Sequence, residues 1–220
     1  MAVLLLATAA FAASGCDDAT VTGGHGGAPG SGGAGGTGAG GGGGTSPAAC
    51  APGAEPTGPG LGIEAHPGEG AAHTGECNAL TFGSNPPSSG NHYPVWPAYR
   101  TYTTPVPWGF LVHGLEHGAV VIVYNCADGC PAEVAAAQAW IDALPADGPG
   151  SGCEGARPRV VLAPDPNLTI PWAATAWGWT LRSCTFDPVM FRTFFDAHYN
   201  QAPEVICAAG ADRSAGGWCP

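Results

Sequence analysis

The sequence predicts an α+β domain: a small, mostly antiparallel sheet with two helices on one face, covered by an irregular proline-rich N-terminal loop layer. Three observations predict it. Strand-like β-branched and aromatic runs and two stretches of helical apolar spacing follow one another in the order β-α-β-β-α. Prolines crowd the segment ahead of them, and an even set of cysteines is spread through the same region.

Ala119 to Tyr124 is a continuous apolar run between Gly118 and Asn125, the pattern of a central strand buried on both faces. From Pro131 to Leu144, residues Val134, Ala137, Trp140, Ile141 and Leu144 recur at helical spacing, with proline in the first turn and Glu133 near the positive end. Arg159 to Ala163 reads as a second strand. A proline-punctuated loop through Pro171 leads to a third, from Trp172 to Cys184, with β-formers on alternate positions. Asp187 caps a second helix, with Pro188 at its first position and Val189, Phe191, Phe194 and Phe195 forming an apolar face up to His198. Between Leu61 and Phe110, prolines at 67, 86, 87, 94, 97, 105 and 107 forbid long regular elements. The aromatics Tyr93, Trp96, Tyr99, Tyr102 and Trp108 make that segment a wrapped loop layer, not a disordered one.

Residues 61–220 form one domain on this reading. Ahead of it, residues 17–60 are Gly-dominated without apolar periodicity, a flexible tether whose ends lie roughly 35 to 40 Å apart. Gly36, Gly38 and Gly41 fit a dinucleotide-binding glycine pattern only by composition, since no strand precedes them, and His25 is a solvated linker residue. Residues 1–16 read as a lipoprotein signal. The apolar run Val3 to Ala13 has the length of a signal core, and Ala13-Ser14-Gly15-Cys16 resembles a lipobox in which Cys16 accepts the lipid. No Lys or Arg precedes that run, and Ala13 stands where Leu is commoner. The expected location is extracytoplasmic, in the periplasm or at the cell surface, anchored to a membrane through Cys16; protein partners are not indicated.

There is no lysine, and six arginines scattered from Arg100 to Arg213 stand against 17 acids, for a formal charge of -11. Without a basic stripe to neutralise phosphates, nucleic acid is excluded as a partner. Apart from Cys16, eight cysteines remain: Cys50, Cys77, Cys126, Cys130, Cys153, Cys184, Cys207 and Cys219. In an exported chain an even set reads as up to four disulfides of open connectivity; a thiolate metal site at Cys126 and Cys130 is the alternative.

Four histidines fall in two places, His66 and His92 in the proline-rich layer and His113 with His117 just before the first strand. If 112–117 form a helical turn, the i, i+4 spacing sets both imidazoles on one face beside Glu116, able to share a zinc or copper ion. His73 reads as loop surface and His198 as a helix C-terminal residue, neither as a ligand.

Three blocks resemble a bacterial domain of unknown function, "three-one-zero-five", found in exported and membrane-anchored proteins: Asn85-Pro86-Pro87-Ser88-Ser89-Gly90-Asn91-His92-Tyr93, Leu111-Val112-His113-Gly114-Leu115-Glu116-His117-Gly118, and Thr175-Ala176-Trp177-Gly178. The resemblance spans roughly residues 62 to 200 and implies that His92, His113, Glu116 and His117 belong to one unit. It implies no activity.

Several readings stay open. His92, His113 and His117, supplemented by Glu116 or His66, form a metal site; or these side chains only anchor the loop layer to the sheet, supplying hydrogen bonds that prolines cannot. His113-Gly114-Leu115-Glu116-His117 also satisfies an inverted zinc-peptidase pattern with Glu116 as the water-activating base, although glycines flank it and a strand follows at once. Trp96 and Trp108 could serve as stacking platforms in a carbohydrate or peptide cleft. With no nucleophile elbow or phosphate loop present, the balance falls on a binding or structural role and not on an enzyme.

Overall fold

A computed structural model of the chain describes residues 50, 61–126, 129–213 and 217–219. The signal segment, Cys16 and the tether through residue 49 and over 51–60 lie outside the described residues.

Eight elements follow in order: β1 (Gly62–Ala65), α1 (Trp108–Glu116), β2 (Val120–Tyr124), α2 (Pro131–Asp142), β3 (Val160–Pro164), β4 (Trp172–Ala176), β5 (Trp179–Ser183) and α3 (Pro188–His198). The strands make one sheet in the order β1-β5-β4-β2-β3, in which only the β2–β3 pair, joined through α2, is parallel. The α+β class, with its mostly antiparallel sheet, is therefore as the sequence predicts.

Three details differ from expectation. The stretch from Trp172 to Cys184 is a hairpin of two strands, because Gly178 adopts φ +74° and reverses the chain after Trp177. The loop layer also contains two regular pieces, the edge strand β1 and the first turn of α1. That helix opens directly after Pro107, whose carbonyl accepts from the amides of Phe110 and Leu111.

The sheet is apolar on both faces, so it carries two cores. Val120, Ile122, Val160, Leu162, Trp172, Ala174 and Leu181 face α2 and α3, which contribute Ala137, Phe191, Phe194 and Phe195. Alternate residues Val121, Val123, Val161, Ala163 and Ala173 face the other way, against Phe110, Leu111, Val112 and Leu115 of α1 and the aromatics of the loop layer. Two helices thus share one face, and α1 lies under the loop layer on the other. Asp187 caps α3 through its carboxylate, which accepts from the amides of Val189 and Met190.

All eight cysteines other than Cys16 are paired, Cys50–Cys184 reaching back beyond residue 61: Cys50–Cys184, Cys77–Cys219, Cys126–Cys130 and Cys153–Cys207. The last ties the loop after α2 to the C-terminal segment, and Cys77–Cys219 ties that segment's far end to the loop layer. Such a set fits an extracytoplasmic, oxidising location. Among the described residues no helix is long and apolar enough to cross a membrane.

Candidate metal centre

The centre is built around α1, a nine-residue helix buried along nearly its whole length. Its apolar side chains enter the core, and its polar residues His113, Glu116 and His117, spaced i, i+3 and i+4, share the remaining side. A Schellman motif ends it: the amide of Gly118 bonds to the carbonyl of Leu115 and that of Ala119 to Gly114, with Gly118 at φ +86°. The chain turns straight from this cap into β2, which fixes the helix against the sheet.

Loop residues 90–93 lie across α1. The Tyr93 amide donates to the Gly109 carbonyl, and the Tyr93 ring packs so closely that a Cβ on Gly109 would meet ring carbons at 2.3 to 2.6 Å. Only glycine permits this approach. It brings the Tyr93 carbonyl 2.5 Å from His113 Nδ1, while His92 Nδ1 lies 2.8 Å from the Gly90 carbonyl. A carbonyl only accepts, so in each neutral ring the proton sits on Nδ1 and the Nε2 lone pair is free.

These lone pairs converge. His73, His92, His113 and Glu116 each place one potential ligand atom within 4.8 Å of all the others. His92 Nε2 lies 3.0 Å from Glu116 Oε2, is fully buried, and makes no hydrogen bond among the described residues; the same oxygen lies 3.8 Å from His73 Nε2. His73 reaches the group because its backbone forms a parallel bridge with His92, the Thr74 amide donating to the His92 carbonyl and the His92 amide to Ala72. Its ring stacks on His113 with centroids 4.8 Å apart and is the exposed member of the set.

His117 lies to one side. Its Nε2 is 3.1 Å from His113 Nε2 and 3.3 Å from Glu204 Oε2, and Glu116, His117 and Glu204 form a second group whose ligand atoms fall within 4.8 Å of one another. Glu204 is held there by its own amide, which donates to the Glu116 carbonyl, and by Arg159, which donates to the carbonyls of both His117 and Ile206.

Burial pushes His113 down to about 4; the hydrogen bond to Tyr93 opposes this, and the neighbouring imidazoles His117, His92 and His73 add to it. His117 is likewise pushed down to about 4, first by burial and then by the charges of His92, Arg159 and His73. Both rings are therefore neutral at pH 7, the form that ligates metal.

The structure sorts the sequence expectations plainly. His92, His113 and Glu116 come together, with His117 at their flank. His66 does not join them: its Nε2 bonds Thr180 Oγ1 at 2.8 Å, and its amide bonds the Gly178 carbonyl. His73, read as loop surface, belongs to the group, and Glu204, which the sequence offers only as a guess at a third carboxylate ligand, stands beside His117. His198 ends α3 and stacks on Trp179. Trp96 packs edge-on against His117 at 4.4 Å and donates to the Ala208 carbonyl, while Trp108 donates to Asp165 Oδ2. Both indoles are half-buried. The zinc-peptidase motif lies at the C-terminal end of α1, with His117 as the cap and β2 following at once, and Glu116 faces His92 and His73.

The three sequence blocks meet here as well. Thr175 Oγ1 donates to the Pro87 carbonyl and the Gly178 amide to that of Ser88, joining the third block to the first, and Glu116 and His113 join the second to the first.

A largely buried cluster of imidazoles and a carboxylate, held by loop and helix on one face of an α+β sheet, marks the class of domain: one whose loop layer and first helix converge on side chains of types that could hold a metal ion. The chain belongs to the family described as protein of unknown function DUF3105, which matches residues 73–210 and so takes in His73 and Glu204. No curated protein and no solved structure matches the chain.

Proposed function

We propose that this domain binds a divalent transition metal, zinc or copper(II), through His73, His92, His113 and Glu116. One observation carries the reading: His92 Nε2, wholly buried and without a hydrogen bond among the described residues, faces the Glu116 carboxylate at 3.0 Å while its Nδ1 is bonded to the Gly90 carbonyl. With a neutral imidazole, two acceptors that close repel each other in a low-dielectric interior, and a cation between them converts the repulsion into two bonds. Three imidazole nitrogens and one carboxylate oxygen suit zinc or copper(II), and the Gly90 and Tyr93 carbonyls supply the outer contacts that orient two of the rings. Anchoring the loop layer uses only the Nδ1 atoms of His92 and His113, so it leaves the buried His92 Nε2 without a hydrogen-bond partner among the described residues.

The domain works outside the cytoplasm on this proposal, tethered through a lipid on Cys16 by the Gly-rich segment; labelling with a fatty-acid analogue, abolished by Cys16→Ala, tests that part. For the metal, protein purified without a histidine tag and reconstituted with zinc or copper(II) is dialysed and its metal measured. Retention of at least one ion per chain, lost in a folded His92→Ala, His113→Ala variant, is the expected result. Wild-type protein that retains no ion after reconstitution overturns the reading.

A further inference from the structure

The ligand set is larger than one ion needs, and it is divided. His73, His92, His113 and Glu116 make one group; Glu116, His117 and Glu204 make another; Glu116 is the residue they share. Building on the metal-binding reading, we propose that the centre holds two divalent ions bridged by the Glu116 carboxylate, the second bound by His117 and Glu204.

A carboxylate has two oxygens that can each serve a separate ion, and ions bridged in this way sit about 3.5 to 4 Å apart. His113 and His117 fit such a pair. Their Nε2 atoms face each other at 3.1 Å; with the His113 proton on Nδ1, the metal-free pair needs His117 Nε2–H to donate to His113 Nε2, whereas one ion on each ring uses both lone pairs. His117 is buried, and its Nδ1 has no hydrogen-bond partner among the described residues. A proton parked on Nδ1 leaves Nε2 to the ion and Glu204.

The two positions differ in kind. The first is nitrogen-rich, and two of its three imidazoles are oriented by backbone carbonyls. The second has one imidazole, lacking such a partner, and a Glu204 carboxylate that is half exposed. The second ion therefore binds more weakly and faces solvent, with coordination positions open to an oxygen ligand such as water or a small oxyanion.

Isothermal titration of the chelated, disulfide-intact full chain with zinc decides the matter. Two ions per chain are expected, the second at least about tenfold weaker. Glu204→Gln removes the second step and leaves the first affinity within about twofold. As an independent readout, copper(II) added at one equivalent gives a mononuclear paramagnetic signal, and a second equivalent diminishes that signal per copper through coupling across Glu116. A single step, identical in wild type and Glu204→Gln, with copper signals that add linearly, overturns the two-ion centre while leaving the one-ion reading intact. No step at all overturns the one-ion reading.

Discussion

His113 Nδ1 lies 2.5 Å from the carbonyl oxygen of Tyr93, a bond that joins the helix carrying half the ligands to the loop carrying the other half. Its geometry depends on the Tyr93 ring lying flush on Gly109.

Gly109→Ala therefore strikes the site without touching a ligand. The added methyl must displace a buried ring whose hydroxyl is already tied to the Asn78 carbonyl, and over-packing of that kind costs about 1–3 kcal/mol. Thermal unfolding should register that loss. Metal affinity should fall at least about tenfold as the Tyr93 carbonyl shifts away from His113, and unchanged affinity in a destabilised protein would show that this bond does not orient the ligand.

Acid should weaken the metal-free fold in a defined window. His113 and His117 titrate near 4 when folded and near 6.5 when unfolded, so between those values the unfolded chain binds more protons. Their contribution is complete above about pH 6.5 and is lost as pH falls towards 4, with His198, also pushed down by burial, acting in the same sense. Melting temperatures of chelated protein should fall from pH 7 to pH 4.5. A flat profile there would contradict the burial-driven depression.

Removing the Cys153–Cys207 bridge by serine substitution at both positions should cost about 2–4 kcal/mol, since it releases a long loop in the unfolded chain. The effect on metal should be selective. Glu204 lies three residues from Cys207, so the weaker zinc step should suffer more than the stronger one; equal losses at both steps would mean that the bridge serves only overall stability.

Asp187→Ala supplies the control. It removes the cap of α3, worth about 1 kcal/mol, on the face of the sheet away from the candidate ligands. Zinc stoichiometry and affinity should match wild type at temperatures where the variant is folded.

The helices α2 and α3 and the strands β2 and β3 were legible in the sequence because local chemistry specifies them: proline at a first turn, an Asp cap, an unbroken β-branched run. The turn at Gly178 was hidden because Trp177 and Trp179 preserve the alternation on both sides of it. Trp108 to Phe110 was hidden because prolines crowd right up to the helix start. The core of the site was legible from the spacing of His113, Glu116 and His117. His73 was not, since it arrives through a bridge between backbones 19 positions apart, and Glu204 was not, since Arg159 and a disulfide bring it in from the far end of the chain. Contacts of that kind leave no periodicity to read.

The two-faced sheet has a practical corollary. Every candidate ligand sits on the α1 side of this wall, and the opposite side offers surface such as Val189, 74% exposed on α3. Fluorophores, affinity handles or a surface for immobilisation can be placed on that back wall, so the chemistry can be watched from behind without an instrument standing in the doorway.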